Sequence, residues 1–529
     1  MTTSHLRWSG APGGVHPVVL DRRLRDLVRL SLSALIPAAL ALVITVELRG
    51  VSLLLILASI VGVLGIVALI LSSRIEVTVA LLGVYLGMLN GPIKLSLGGR
   101  ELTAAIPNIL ILAVCLGAVM RIVVRRERVR MPPLSGWVVA FVGIVLIEAF
   151  NPNTSGILHI LGGFRQQLQW VPFFFFGYVL MRSKKRFRQV FLIVGVAALA
   201  NGVVSAYQSG LSPAQLASWG QGYHTLIYPT TGTGRTFSSE GEGRVRPPAL
   251  GSEAGAGGGV GVLALPFALA LLATASRWRR RWVAVLLCLG AIVAIATGLG
   301  RLQVVGAGIG VIAFAALASV ARQRVMRVVG ALLAILILTV PTGLFLVSVL
   351  RKGTLKRYES ISVTSSSTTL HKRNALALVV PVLEAQPFGL GLGTEGPVGA
   401  FGGKNASVLG IGEGTSPETQ FNFIANELGA PGLAVWVALS FYLMALVAFA
   451  MRRVRDPDLA IYLAAAFAPF YALFIEGSSG PLSNSASAGP YFWFAIGIAA
   501  YWLAGPGRRS PLMAPAPSLA APAVTAKAI

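Results

Sequence analysis

"AIVAIATGLGRLQVVGAGIGVIAF", residues 291–314, carries one charge, Arg301, between two apolar runs. Read as a single span, the stretch would leave a guanidinium in hydrocarbon, at a cost of about 2.5–3.5 kcal/mol near a span centre. Read as two spans, 282–299 and 302–320, it puts the arginine at a lipid–water boundary. "TGLGR" (297–301) then makes the reversal, and Gly298 and Gly300 supply its conformational freedom. This second reading sets the fold class for the rest of the chain.

Of the 529 residues, 55% are hydrophobic and only 12% charged, with a mean hydropathy of +0.76. Soluble domains carry roughly 25% charge. Apolar runs recur from Leu27 to Ala504, many of them long enough to cross roughly 30 Å of hydrocarbon. The alternating segments of about ten residues that build a membrane β-barrel are absent. The pattern predicts an all-α polytopic membrane protein.

The net charge of +25 invites a nucleic-acid reading, but its placement argues against one. Lys and Arg gather in short stretches between apolar runs: "RRLRDLVR" (22–29), "RIVVRRERVR" (121–130), "RSKKRFR" (182–188), "SRWRRRW" (276–282), "ARQRVMR" (321–327), "MRRVR" (451–455) and "GRR" (507–509). Such clusters beside spans are the positive-inside signature. They imply membrane lipid as a partner and no nucleic acid. The cysteines, Cys115 and Cys288, lie far apart inside apolar runs, which excludes a disulfide framework. The first run follows basic residues and reads as a retained signal anchor.

The clusters test the threading. Spans at 27–47, 51–71, 76–91, 103–121, 135–151, 168–181, 188–207, 257–275, 282–299, 302–320, 328–349, 421–450, 459–476 and 490–504 put every cluster inside, with both termini cytoplasmic. That is about 14 transmembrane helices (12–14), allowing for short segments. The expected organisation is an N-terminal cytoplasmic segment (1–26), N-terminal spans (27–207), a first large outer loop (208–256), central spans with the Arg301 hairpin (257–349), a second large outer loop (350–420), C-terminal spans (421–504) and a disordered tail (505–529). A shorter outer loop is expected at 151–167, and a helix lying at the surface over 373–385. Long ordered loops usually carry function.

Outer-side arginines then stand near span ends: Arg165, Arg246, Arg301 and Arg373. Guanidinium groups bind phosphate bidentately and stay charged, so several converging would hold a diphosphate at the membrane surface. Carboxylates number only 19, which makes Glu418, Glu427 and Glu384 on the outer side conspicuous. Glu427 lies among apolar residues and reads as a buried partner for an arginine. Glu418 lies nearer the boundary and reads as a general base. None of the five histidines has metal-motif spacing, and no metal or other cofactor is expected. The glycines of "GLGLG" (389–393) read as close packing more readily than as a phosphate cradle.

With these residues in hand, the chain resembles the O-antigen ligase and polysaccharide polymerase family of membrane glycosyltransferases. Four stretches between residues 140 and 480 carry the resemblance. "ATGLGRLQVVGAGIGVI" is similar to the family's "T-x-S-R-G" span start, with Arg301 at its arginine. "RVRPPALGSEAGAGGGVGVLALPFALALL" resembles the segment after the first outer loop, with Arg246 at the arginine. "RNALALVVPVLEAQPFGLGLG" resembles the "R…P-x-x-G-x-G-x-G" element, led by Arg373. "PETQFNFIANELGAPGL" resembles the "H-N-x-x-L…E-x-G-x-x-G" helix, but Glu418 stands where the ligases have histidine and Thr419 where they have asparagine. That departure points toward the polymerase side.

The resemblance implies a GT-C-like fold in the bacterial inner membrane. It implies a polyprenyl-diphosphate-linked glycan as donor, with flippase and chain-length-regulator proteins as partners. Arg301, Arg246, Arg373 and Arg165 would hold the diphosphate, and Glu418 would deprotonate the acceptor. Trp219, Tyr223 and Tyr228 are candidates to stack on sugars. The rival classes are a lipid-linked-oligosaccharide flippase or other polysaccharide transporter, and a non-catalytic envelope subunit. The missing internal repeat and the two long, unequal loops favour an enzyme over a transporter.

Overall fold

The structure is a computed structural model. It describes residues 75–96, 101–125, 131–154, 156–228, 236–239, 242–320, 376–394, 419–478 and 487–513, with scattered positions at 328–337 and 480–485. The chain divides into two units. One comprises residues 1–75 and 112–127, and the other 76–111 and 128–529. Of the first unit the described part is residue 75 and the second half of helix α3. All that follows concerns the second.

In chain order the helices are α1 (Ile75–Val84), α2 (Asn90–Ser96), α3 (Glu101–Arg125), α4 (Ser135–Glu148), α5 (Gly156–Leu168), α6 (Pro172–Leu180), α7 (Lys184–Ser209), α8 (Pro213–Ala217) and α9 (Gln221–Ile227). A short antiparallel hairpin follows, β1 (Thr236–Ser239) and β2 (Glu242–Val245). The helices continue with α10 (Ala256–Thr274), α11 (Trp278–Thr297), α12 (Arg301–Val320), α13 (Val379–Ala385), α14 (Gln420–Ala450), α15 (Pro457–Glu476) and α16 (Ala488–Trp502). Among the described residues seven helices are long and apolar enough to cross a membrane: Val77–Ser96, Lys184–Ser209, Ala256–Thr274, Trp278–Thr297, Arg301–Val320, Gln420–Arg453 and Pro457–Glu476. This is the build of a helical membrane protein. In lipid the helix is favoured because it satisfies every backbone polar group within its own segment.

α10 and α15 are the most enclosed of these seven helices. α10 packs on α7, α11, α12 and α15, α6 packs on α16, and α4 on α14. Small residues let the backbones meet. A Cβ on Gly202 of α7 would fall 2.5 Å from the Gly290 carbonyl of α11, and one on Gly497 of α16 would fall 2.1 Å from the Phe174 carbonyl of α6. Aromatic rings fill the remainder, with Phe191 stacked on Phe267 at 4.2 Å and Trp436 on Phe492 at 4.0 Å.

Several expected boundaries shift. The span expected at 168–181 is a helix of only nine residues, because Pro172 restarts the helix after α5. The outer loop expected at 151–167 folds as α5. Within the first large loop Ser212 and Gln215 close a capping box over α8. The surface helix expected over 373–385 spans Val379–Ala385 as a continuous turn. Spans 27–47 and 51–71, nearly all of 328–349, and the tail beyond residue 513 lie outside the described residues.

The positive clusters meet at one end. Lys184 Nζ donates to Asp456 Oδ2 at 2.7 Å. Arg182 lies over the rings of Tyr178 and Tyr501, at 5.1 and 5.4 Å. The Trp502 indole donates to the Met181 carbonyl, and the Arg455 amide to the Leu512 carbonyl. Thr274, beside the 276–282 cluster, shares a hydrogen bond with Tyr462 of α15. Clusters 182–188, 276–282, 451–455 and 507–509 therefore share one end of the bundle, as the positive-inside pattern requires. Cluster 22–29, residues 126–130 and cluster 321–327 lie outside the described residues.

Asp456 also caps α15, accepting from the Leu459 amide at 2.8 Å. Burial pushes its carboxyl up, but the hydrogen bonds from Lys184 and Leu459, with the Lys184 charge, hold it below its ordinary value. A lowered folded value stabilises above the unfolded pKa of about 3.9 and is lost as pH falls through the folded value. Asp456→Asn keeps a capping oxygen and should lower the thermal midpoint near neutral pH, with the difference closing in acid. Asp456→Ala also loses the cap and should cost about 1 kcal/mol more. Scanning fluorimetry across pH checks both.

Candidate functional site

The opposite end collects the sequence-selected residues. α11 ends at Thr297 and α12 begins at Arg301, so the reversal is as short as expected. Its left-handed residue is Leu299, with φ 56°, and not a glycine. Gly298 and Gly300 are required for room: a Cβ on either would fall 2.9 or 2.6 Å from the Gln303 side chain. α12 turns away after the reversal and packs on α15 and α10.

Gln303 ties this corner to the segment carrying Arg246. Its Nε2 donates to the Gly255 carbonyl at 2.6 Å, and its Oε1 lies over Gly258. The Gly255 amide in turn donates to the Pro247 carbonyl. The same segment docks on the end of α7. Gln208 accepts from the Ala249 amide at 2.7 Å, and Asn201 accepts from the Leu250 amide at 3.1 Å. Asn201 also donates to the Gly87 carbonyl, which a π-turn at Tyr85–Leu89 leaves without a regular helical partner. Arg246 and Arg301 thus belong to one hydrogen-bonded corner, and both are partly exposed.

A second cluster forms around Glu427, which is fully buried. Gln167 Nε2 donates to Oε2 at 2.7 Å and Gln166 Nε2 to Oε1 at 3.2 Å. Both glutamines stand on α5 beside Arg165, whose own side chain is exposed. Two residues after Glu427, Gly429 breaks α14 with φ 60° and ψ −160°. Pro431 has no N–H for the Glu427 carbonyl, so the break frees backbone groups. The loop after α13 satisfies them: the Leu390 amide donates to the Asn426 carbonyl and the Ala430 amide to the Pro387 carbonyl.

That loop is "GLGLG". Gly391 has φ 89°, and a Cβ there would fall 2.1 Å from Thr154 Oγ1. The Leu392 amide takes Thr154 Oγ1 at 3.1 Å, and Asn151 donates to the Gly389 carbonyl at 3.2 Å. Its glycines are a packing device that locks α5 to the break in α14. The two ends of the patch join where the Gln420 amide donates to the Gly477 carbonyl, just past α15.

Arg373 and Glu418 lie outside the described residues. α14 begins at Gln420 with Thr419 as its N-cap, accepting from the Asn422 amide. Tyr223 is buried in a small core with Leu95, Leu216 and Ile227 and is not a free stacking platform. Trp219 and Tyr228 are exposed. Among the described residues no set of three or more His, Cys, Asp or Glu gathers as metal ligands.

Sequence reading missed Gln166, Gln167, Gln303 and Glu476. Glu476 ends α15 and lies directly on Gly306 of α12, where a Cβ would fall 1.8 Å from its Oε1. Among the described residues that buried oxygen has no hydrogen-bond partner. The available signal was a carboxylate closing an apolar run, which marks functional positions in membrane helices.

Comparison with known proteins finds no family model and no curated protein that matches the chain.

Glu427→Ala would leave two buried amide donors unsatisfied, each costing about 1–3 kcal/mol. Glu427→Gln keeps an acceptor and should lose less, as thermal unfolding in detergent would show. Gly429→Ala forces a left-handed φ and a contact 2.4 Å from the Phe388 carbonyl carbon. It should cost more than Gly308→Ala, where a Cβ meets nothing within 4 Å, measured the same way.

Proposed function

We propose that the protein is an integral-membrane glycosyltransferase that polymerises or ligates a cell-surface polysaccharide from a polyprenyl-diphosphate-linked glycan. The full chain is read with about fourteen spans in a GT-C-like arrangement, in a bacterial inner membrane. The observation that carries the reading is the shared corner of Arg246 and Arg301, opposite the end where the positive clusters gather. Arginines at that end are not accounted for by positive-inside topology. Arg165 on α5 faces the same end.

In this reading an acceptor sugar hydroxyl attacks the anomeric carbon of the donor. The carbon–oxygen bond to phosphate breaks, and the polyprenyl diphosphate leaves with the electron pair. Arg301 and Arg246, with Arg373, hold the diphosphate and stabilise the charge that grows on it, an electrostatic role. A carboxylate takes the hydroxyl proton, and Glu418 is the residue the motif order assigns. Glu427 has a separate task, holding α5 against the broken helix α14 through Gln166 and Gln167.

Arg301→Ala should abolish polymer formation with normal membrane abundance, read by surface-glycan profiling and immunoblot. Lipid-linked single repeat units should accumulate if the enzyme is a polymerase, and full-length lipid-linked chains if it is a ligase. Normal polymer from the variant would refute the assignment.

A further inference from the structure

We propose that a cleft at the positively charged end, remote from the Arg301 corner, binds a phosphate-bearing anion. The cleft has a volume of about 940 Å³ and is lined by Arg455, Arg508 and Arg509 together with Pro133, Pro506 and Met513. Among the described residues no carboxylate lines it.

The cleft is built from fixed backbone. α16 ends at Trp502, whose indole is anchored to the Met181 carbonyl. A 3-10 turn at Pro506–Arg509 then reverses the chain. The returning strand pairs Met513 with Val454, and the Leu512 carbonyl accepts from the amides of Arg455 and Asp456. Gly505 sits where a Cβ would lie 2.2 Å from the Ala500 carbonyl. This packing brings Arg455, Arg508 and Arg509 to the lining of one cleft.

Two other cations at this end are engaged by side chains of the bundle. Lys184 is paired with Asp456, and Arg182 lies on two tyrosine rings. The guanidinium groups of Arg455, Arg508 and Arg509 have no hydrogen bond or ion pair among the described residues. Three like charges around one cavity repel, and an anion relieves that repulsion while accepting bidentate hydrogen bonds. Phosphate matches the fork of each guanidinium. The prolines and Met513 give the same cleft an apolar side, and it lies at the ends of α14 and α15, where headgroups of a surrounding bilayer would stand. The ligand chemistry is therefore a phosphate ester, carried either by an anionic lipid or by a soluble molecule.

The test uses the purified full-length chain in mixed micelles of phosphatidylglycerol and phosphatidylcholine, with native mass spectrometry to count retained lipid. Inorganic phosphate and pyrophosphate are titrated separately, with the thermal midpoint as readout. Wild type should retain phosphatidylglycerol preferentially, or be stabilised by the free anions. The combined Arg455→Gln, Arg508→Gln, Arg509→Gln variant should weaken whichever binding is seen by at least about tenfold, the equivalent of one charge-assisted contact. Arg508→Gln alone keeps the test open should the triple variant not fold.

Arg279→Gln with Arg280→Gln, exposed at the same end but outside the cleft, should leave binding unchanged. Lipid retention undisturbed by pyrophosphate assigns a headgroup, and anion stabilisation without lipid preference assigns a soluble phosphate. If the cleft variants bind both probes as wild type does, or the Arg279 and Arg280 control loses as much, the proposal is overturned.

Discussion

Charge is costly in hydrocarbon, and that constraint drives the ionisable side chains of this chain to the ends of its helices. Every basic cluster within the described bundle stands at one end, and Arg165, Arg246 and Arg301 stand at the other. Between them the chain offers packing surface: small residues where backbones cross, stacked rings where they diverge. Of the acidic side chains that enter the protein, two are satisfied in different ways. Asp456 takes Lys184 and a helix N-terminus, and Glu427 takes two glutamine amides.

The two ends differ in construction. At the positive end the arginines sit at helix termini and on one returning strand, and they enclose an open cleft. At the other end the chain is interlocked. A broken helix, a glycine loop and α5 exchange backbone and side-chain hydrogen bonds, and the Arg246 segment is held by Asn201, Gln208 and Gln303. Non-helical backbone at the level of spans is tolerated only where protein satisfies it. Here the satisfaction is specific: the Leu390 amide of the loop finds the Asn426 carbonyl of the broken helix, and the helix's own Ala430 amide finds the Pro387 carbonyl of the loop. Such rigidity suits the proposed function, in which guanidinium groups are held in fixed positions.

The helical class, the place of most long helices and the single-sided positive clusters were legible from apolar runs and charge spacing. The bounds of α7, α10, α11, α12, α14 and α15 fall within a few residues of the spans read from sequence, because length and hydropathy alone set them. The reading failed where local chemistry overrides hydropathy. Pro172 cut a span short, α5 formed from a stretch read as a loop, and Leu299 took the conformation assigned to glycine.

The sequence by itself determined that Arg301 stands at a helix end, since a guanidinium inside an apolar run leaves no cheaper position. Only the tertiary structure decided its company. Gln303 meets Gly255, Gln166 and Gln167 meet Glu427, and Arg455 shares a cleft with Arg508, across separations of tens to hundreds of residues. Periodicity and composition act along the chain and carry no record of which helix face meets which. Those pairings follow from how small residues let particular helices approach, which is a property of the packed bundle.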